Sequence, residues 1–148
     1  MKFRYEITIN EAREKVFDLF IDGTKWPEYI DYVVAVKELM PLNNELRYLI
    51  TYKAGTIAKE EVQIMERIYD IRRPESYKFI HDIEGYENNS SVTFISINEH
   101  STKLITELNI LSKSWFFRFL MRIGAFITKK KTRKMLANFK SYAENFQT

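Results

Sequence analysis

The chain has 148 residues, 45% of them hydrophobic, a formal net charge of +3 and no cysteine. This length predicts one domain spanning residues 1–148, with enough apolar material for a core of its own. The missing cysteine excludes thiolate nucleophiles, thiolate metal sites and disulfides, and a reducing cytoplasm is the expected location. Residues 1–10 alternate between polar and apolar side chains, so we predict an N-terminal strand and no signal peptide.

Two short helices are predicted after this strand. The first is indicated by apolar residues that recur three or four positions apart, namely Val16, Phe17, Leu19 and Phe20. Asp22 and Gly23 end it, and Pro27 suits the first turn of a second short helix, where the missing N–H of proline costs nothing.

The middle of the chain reads as a series of strands. Between Asp31 and about Leu111, six extended segments are separated by turn signals at residues 41–44, 53–56, 73–74, 88–89 and 98–102. With the N-terminal strand these make seven, and their short connections predict an antiparallel sheet in which consecutive strands pair.

A long C-terminal helix is predicted from Trp115 to Gln147. On a helical wheel its sheet-facing stripe consists of Phe117, Met121, Met135, Phe139, Tyr142 and Phe146. The middle of the same stripe holds only the small residues Gly124, Ala125, Thr128 and Thr132. Close-packed interiors do not tolerate voids, so these residues predict a cavity beneath the helix unless large sheet residues such as Tyr48, Tyr52 or Phe79 fill the gap.

The order of elements resembles the START-like superfamily, which includes birch-pollen-allergen-like proteins, lipid-transfer domains and the polyketide cyclase/dehydrase group. The segment ITINEAREKVFDLFIDGTKWPEYI is similar to the N-terminal signature of that superfamily, and MLANFKSYAE is similar to the end of its last helix. Leu136, Phe139 and Ala143 are the residues of that tail expected to pack on the sheet.

This resemblance implies an α+β, helix-grip fold, in which a curved seven-stranded antiparallel sheet holds the long helix and a hydrophobic tunnel lies between them. It implies no universal catalytic residues. The chain departs from the commoner pattern because its strands contain almost no glycine and its last helix begins with the aromatic segment WFFRFLM. A narrower cavity, or one with a differently covered mouth, is therefore expected.

Two side chains are candidates for acid–base chemistry in such a cavity. His81 shares a strand face with Tyr77 and Phe79, and a near-neutral imidazole suits proton transfer or ligand hydrogen bonding. Glu66 shares the more apolar face of its strand with Ile68, where burial would raise the pKa of an inward carboxylate. A satisfied core histidine, and a bulged or partly exposed strand, explain the same patterns without function.

The remaining candidates are ligand contacts. The full set of predicted ligand-binding residues is Trp26, Tyr48, Tyr52, Phe79, His81, Thr106, Met121, Gly124, Ala125 and Thr128. No metal site is predicted, because there are only two histidines and no cysteine, and no Gly-rich phosphate loop indicates a nucleotide cofactor. Interspersed charges of both signs argue against a nucleic-acid partner.

The start of the last helix carries more apolar surface than a sheet can cover. Besides the sheet-facing stripe, it has further large side chains at Trp115, Phe116, Phe119, Leu120, Ile123, Phe126 and Ile127. Short helices, a second copy, lipid or a bound ligand must cover them. With the basic run at residues 129–134, the segment also resembles a membrane-surface helix.

Three functions follow as hypotheses. The first is non-enzymatic binding of a hydrophobic small molecule such as a lipid, an isoprenoid or a polyketide-like compound. The second is a cyclase or dehydratase that transfers protons through His81 or an inward glutamate. The third is attachment to a membrane surface or a partner, including a second copy of the chain, through the aromatic start of the last helix.

Overall fold

The computed structural model describes residues 1–53, 60–83 and 85–147. Seven strands form one curved antiparallel sheet in the order β1-β7-β6-β5-β4-β3-β2. Their bounds are β1 Lys2–Ile9, β2 Val33–Leu42, β3 Glu45–Lys53, β4 Glu61–Arg72, β5 Ser76–Ile83, β6 Tyr86–Asn98 and β7 Ser101–Ser112. From β2 to β7 each strand pairs with the next, whereas β1 pairs with β7 and not with β2, so β1 and β2 are the two edges of the sheet. The predicted α+β, helix-grip architecture is confirmed.

Three helical segments cover the concave face. Helix α1, Arg13–Ile21, and a 3-10 helix, Gly23–Glu28, lie between β1 and β2, and helix α2, Trp115–Asn145, ends the described chain. The indole Nε1 of Trp26 donates to the backbone oxygen of Phe20 at 3.0 Å, which joins the two short helices. The rings of Phe20 and Phe139 lie 4.7 Å apart, so α1 and α2 meet in one core over the sheet.

Residues with left-handed backbone conformations lie between strands at two places in the sheet. Asn43 and Asn44 have φ of 52° and 62°, a left-handed pair that asparagine tolerates, and the turn predicted at residues 41–44 is confirmed. The turn predicted at residues 88–89 is wrong, because both asparagines lie inside β6. Gly85, with φ of 81°, immediately precedes that strand instead. The turn predicted at residues 53–56 falls largely outside the described residues.

Helix α2 is covered along only half of its length. Its buried residues are Thr132, Leu136, Phe139 and Ala143, all in the second half. In the first half, Trp115 is 77% exposed and Phe126 is 76% exposed. Within residues 1–53, 60–83 and 85–147, no helix combines the length and hydropathy that a bilayer crossing requires.

Candidate ligand-binding cavity

A cavity of about 390 Å³ lies between the concave face of the sheet and the second half of helix α2. This volume falls within the range of small-molecule sites, about 300–1,000 Å³. Its wall is mostly aromatic and aliphatic, formed chiefly by Phe20, Trp26, Tyr29, Tyr32, Val33, Tyr52, Ile64, Tyr77, Phe79, Val92, Leu108 and Ile110. The helix contributes Thr128, Lys131, Thr132 and Met135.

A row of polar side chains crosses this wall. The strand register places Glu66 of β4 opposite His81 of β5, and His81 opposite Asn88 of β6. Residues paired across neighbouring strands share one face of the sheet, so all three point to the concave side. Oε2 of Glu66 lies 2.6 Å from Nε2 of His81, and both side chains are largely buried.

The hydrogen bonds of Asn88 indicate which ring nitrogen of His81 accepts a hydrogen bond. Ser90 donates its hydroxyl to Oδ1 of Asn88, which leaves Nδ2 of Asn88 facing Nδ1 of His81 at 3.4 Å. An amide nitrogen only donates, so Nδ1 of His81 accepts and the ring proton resides on Nε2, where the Glu66 carboxylate accepts it. The row therefore orients the imidazole, with Nε2 toward the carboxyl group of Glu66 and Nδ1 toward the amide of Asn88.

The two bonds to His81 differ in strength. The bond to the carboxylate is short and charge-assisted, whereas the bond from Asn88 is at the long limit of hydrogen-bond geometry. A ligand donor can replace the amide at Nδ1 at little cost, and the Glu66 contact then keeps the ring in place. The wall thus offers one imidazole acceptor with a built-in orienting carboxylate.

Two buried hydroxyls on the same wall have no partner. The hydroxyl of Tyr29 and Oγ1 of Thr106 make no hydrogen bond within the described part of the chain, although both residues are at least 97% buried. Both residues line the cavity. Buried hydroxyls normally find a partner, so these two mark positions where a ligand or water oxygen would be stabilised.

The tyrosines of the wall remain protonated at neutral pH. Burial raises the pKa of Tyr32 to about 12, and the negative charge of Glu66 adds to the shift. Burial, followed by the same carboxylate, also raises the pKa values of Tyr29, Tyr52 and Tyr77 above their ordinary value. Every one of these phenols is therefore available to a ligand as a neutral O–H donor.

Most predicted contact residues lie on the cavity wall. They are Trp26, Tyr52, Phe79, His81, Thr106 and Thr128, with the candidate carboxylate Glu66. Tyr48 does not, because the 3-10 helix covers it: its ring packs on Trp26 with centroids 5.2 Å apart, and a Cβ added at Gly23 would lie 2.8 Å from the ring.

Three further predicted contacts also lie off the wall. Met121, Gly124 and Ala125 belong to the first half of α2, and the cavity is bounded by the turns from Thr128 to Met135. A methyl group added at Gly124 would meet nothing within 4 Å. Of the four small residues in the middle of the stripe, Thr128 and Thr132 line the cavity, whereas Gly124 and Ala125 lie one turn before it.

Two wall residues were not anticipated. Tyr29 follows the 3-10 helix and carries the unpartnered hydroxyl, and Asn88 was assigned to a turn. For Asn88 a signal exists, since it shares period-two phase with Ser90, Val92 and Phe94, all on the concave face. In the described chain, no three His, Asp or Glu side chains gather as around a metal ion.

Comparison with known proteins finds similarity in structure but not in sequence. No family model matches the chain, and no curated protein matches its sequence. The aromatase/cyclase Zhui from Streptomyces sp. R1128 superposes with a TM-score of 0.81 at 9% identity, over 97% of this chain and 93% of that one. A START superfamily protein from Mycobacterium smegmatis gives 0.77 at 11% identity, over 99% of both chains.

A third similar structure belongs to a protein about twice as long as this chain. The di-domain ARO/CYC StfQ from the steffimycin biosynthetic pathway gives a TM-score of 0.78 at 16% identity over 96% of this chain, which spans 45% of the length of StfQ. At these identities the likeness concerns the fold. The chain has a helix-grip fold, and specifically the START-like fold shared with polyketide aromatase/cyclases, as the resemblance predicted.

Proposed function

We propose that this protein binds a hydrophobic small molecule, such as a lipid, an isoprenoid or a polyketide-like compound, in the cavity between the sheet and helix α2. The observation that carries the proposal is the pair of unpartnered hydroxyls, Tyr29 and Thr106, on an otherwise apolar wall. The ligand would be largely apolar, with one or two oxygen atoms that reach these groups or His81.

The energetics favour an occupied cavity. A buried hydroxyl without a partner costs about 1–3 kcal/mol, so a ligand oxygen that bonds one of them recovers energy that the empty protein lacks. Burial of apolar ligand surface adds about 25 cal/mol per Å². The likeness in fold to an aromatase/cyclase and to a START superfamily protein supports a small-molecule site between sheet and helix.

The first test is native mass spectrometry of freshly purified protein, followed by organic extraction of any bound compound. We expect a discrete apolar adduct that the variant Thr128→Phe no longer carries, because Thr128 lines the cavity and the larger ring occupies its volume. Ile127→Phe is the matched control, since Ile127 is exposed on the neighbouring position. Equal adduct on both variants would contradict the cavity as the binding site.

A second pair of variants tests the hydroxyls. Thr102 and Thr106 are both buried on β7, but Oγ1 of Thr102 donates to the backbone oxygen of Glu11 at 2.8 Å whereas Thr106 has no partner in the described chain. Thr106→Val should weaken binding of the extracted compound about tenfold without loss of stability. Thr102→Val should leave binding unchanged and lower the free energy of unfolding by about 1 kcal/mol.

An enzymatic function of the cyclase or dehydratase type is the second candidate. The contact between Glu66 and His81, at 2.6 Å on the cavity wall, favours it, because a carboxylate-oriented imidazole is a common general base. Glu66→Gln keeps the shape but removes the charge. In a binding protein we expect it to change affinity by a few fold at most, and in an enzyme to lower turnover of the extracted compound by about 10²–10⁴-fold.

A further inference from the structure

The first half of helix α2 presents a continuous apolar surface to solvent. We call it the outer apolar face, and it consists of Trp115, Phe116, Phe119, Leu120, Ile123, Phe126 and Ile127, all exposed. At 3.6 residues per turn these positions lie on one side of the helix, opposite to Phe117 and Met121. Exposed aromatic patches of this kind mark interaction surfaces.

Contacts on the side of α2 that faces the sheet fix the rotation of its first half about the helix axis. The hydroxyl of Tyr86 donates to the backbone oxygen of Phe117 at 3.0 Å, and the two rings lie 5.2 Å apart. Oγ of Ser114 caps the helix by accepting the backbone N–H of Phe117. The outer apolar face therefore cannot turn inward without loss of these contacts, and no part of the described chain, residues 1–53, 60–83 and 85–147, covers it.

The segment of the chain that carries this face has charges of one sign. Residues 108–143 contain nine lysine and arginine residues and no aspartate or glutamate. Because the whole chain is +3 and this segment is +9, the remaining residues carry −6. Arg118, Arg122 and Lys129 flank the outer apolar face, and Lys130 and Arg133 continue its line along the helix. A partner that fits this face must therefore offer both apolar surface and negative charge.

An anionic lipid bilayer meets both requirements. Its acyl region accepts aromatic and aliphatic side chains, its headgroups attract lysine and arginine, and tryptophan is favoured at the boundary between them. A second copy of the chain meets only the requirement for apolar surface, because a two-fold contact would bring two segments of charge +9 together. We propose that the outer apolar face docks this protein, parallel to the surface, on an anionic bilayer.

The test uses the full chain without added ligand, so it is independent of the cavity. Sedimentation is compared on vesicles of phosphatidylcholine alone and of equal parts phosphatidylcholine and phosphatidylglycerol. We expect binding to the anionic vesicles that weakens as salt is raised, because salt screens the attraction. Fluorescence of Trp115 should shift to the blue, while buried Trp26 provides a constant background. No binding to the anionic vesicles overturns the proposal.

Matched variants locate the surface. Phe119→Ser, Ile123→Ser and Phe126→Ser together should weaken vesicle binding about tenfold or more. Met40→Ser, Ile95→Ser and Ile97→Ser together remove exposed apolar side chains from the sheet and should leave binding unchanged. Equal loss in both sets overturns the assignment of this face. Circular dichroism and thermal unfolding of every variant confirm that its fold is intact.

The charge is tested in the same way. Arg122→Glu with Lys130→Glu should weaken binding to anionic vesicles about tenfold or more. Lys37→Glu with Arg47→Glu, on β2 and β3, changes the net charge equally and should have a smaller effect. Sedimentation velocity tests the alternative, in which a second copy of the chain covers this face. A dimer of the native chain that the Phe119, Ile123 and Phe126 variant converts to a monomer overturns docking on lipid in favour of self-association.

Discussion

The first half of helix α2 is the more apolar by sequence, yet it is the second half that is buried. In the second half, Leu136, Phe139 and Ala143 are buried against the short helices and the sheet. In the first half, Trp115 and Phe126 are among the most exposed large side chains of the described chain. An apolar residue in this helix is therefore structural or available for contact according to where the helix crosses the sheet.

The largest contrast should appear on truncation of one phenylalanine in each half. Phe139 is fully buried and packs on Phe20 and Tyr29, so Phe139→Ala should lower the free energy of unfolding by about 3–5 kcal/mol. Phe126→Ala should stay within about 0.5 kcal/mol. Denaturant titration measures both, and a large loss at Phe126 would mean that the first half is packed after all.

The next largest effect is expected at alkaline pH, which should lower the free energy of unfolding through the buried tyrosines. The pKa values of Tyr32 and Tyr48 are raised to about 12 by burial, from an ordinary value of 10. The unfolded chain loses these protons near pH 10 whereas the folded chain keeps them, so their stabilisation is complete below pH 10 and is lost as the pH rises through 12. Unfolding titrations across this range should show the decline, and Tyr48→Phe should make it less steep.

Enlarging a small residue should give a moderate contrast. Ala143 is fully buried, so Ala143→Leu should overpack the core and lower the free energy of unfolding by about 1–3 kcal/mol. Ala137 is exposed on the same helix, and Ala137→Leu should be neutral within about 0.5 kcal/mol. If both variants were neutral, the second half would be less tightly packed than its burial indicates.

The smallest effect is expected at the helix glycine. Gly124→Ala should raise the free energy of unfolding by about 1 kcal/mol, because alanine is the better helix former and the added methyl meets nothing within 4 Å. Gly23→Ala should instead be destabilising, since its methyl would lie 2.8 Å from the ring of Tyr48. Thermal unfolding of the two variants gives shifts of opposite sign, and a loss of stability at Gly124 would place an undetected neighbour there.

Local patterns were sufficient for the secondary-structure elements, and the family resemblance supplied their topology. Period-two alternation and turn residues such as Asn43 and Asn44 predicted seven strands, of which β2 to β7 pair in sequence while β1 pairs with β7. The inward phase of Glu66 also followed from its apolar neighbours Ile64 and Ile68. These features depend on side chains within a few residues of one another, which is the information that a single sequence carries most directly.

The site depended on longer-range geometry. That Glu66 faces His81 follows from the register of β4 and β5, which alternation does not determine. Asn88 was taken for a turn residue because asparagine pairs favour turns, although here one of them serves as a hydrogen-bonding group on the wall. Of the helix residues expected at the cavity, Thr128 and Thr132 line it and Gly124 and Ala125 do not, because the point where the helix crosses the sheet leaves no trace in helical periodicity.

Continuity of helix α2 gives the molecule a mechanical property. The helix runs without interruption over 31 residues, a rod of about 45 Å. Its far end carries the outer apolar face, and Thr128, Lys131, Thr132 and Met135 further along form part of the cavity wall. One continuous element therefore forms part of both the outer surface and the lining of the cavity, so a rotation of the helix about its own axis would move both sets of side chains.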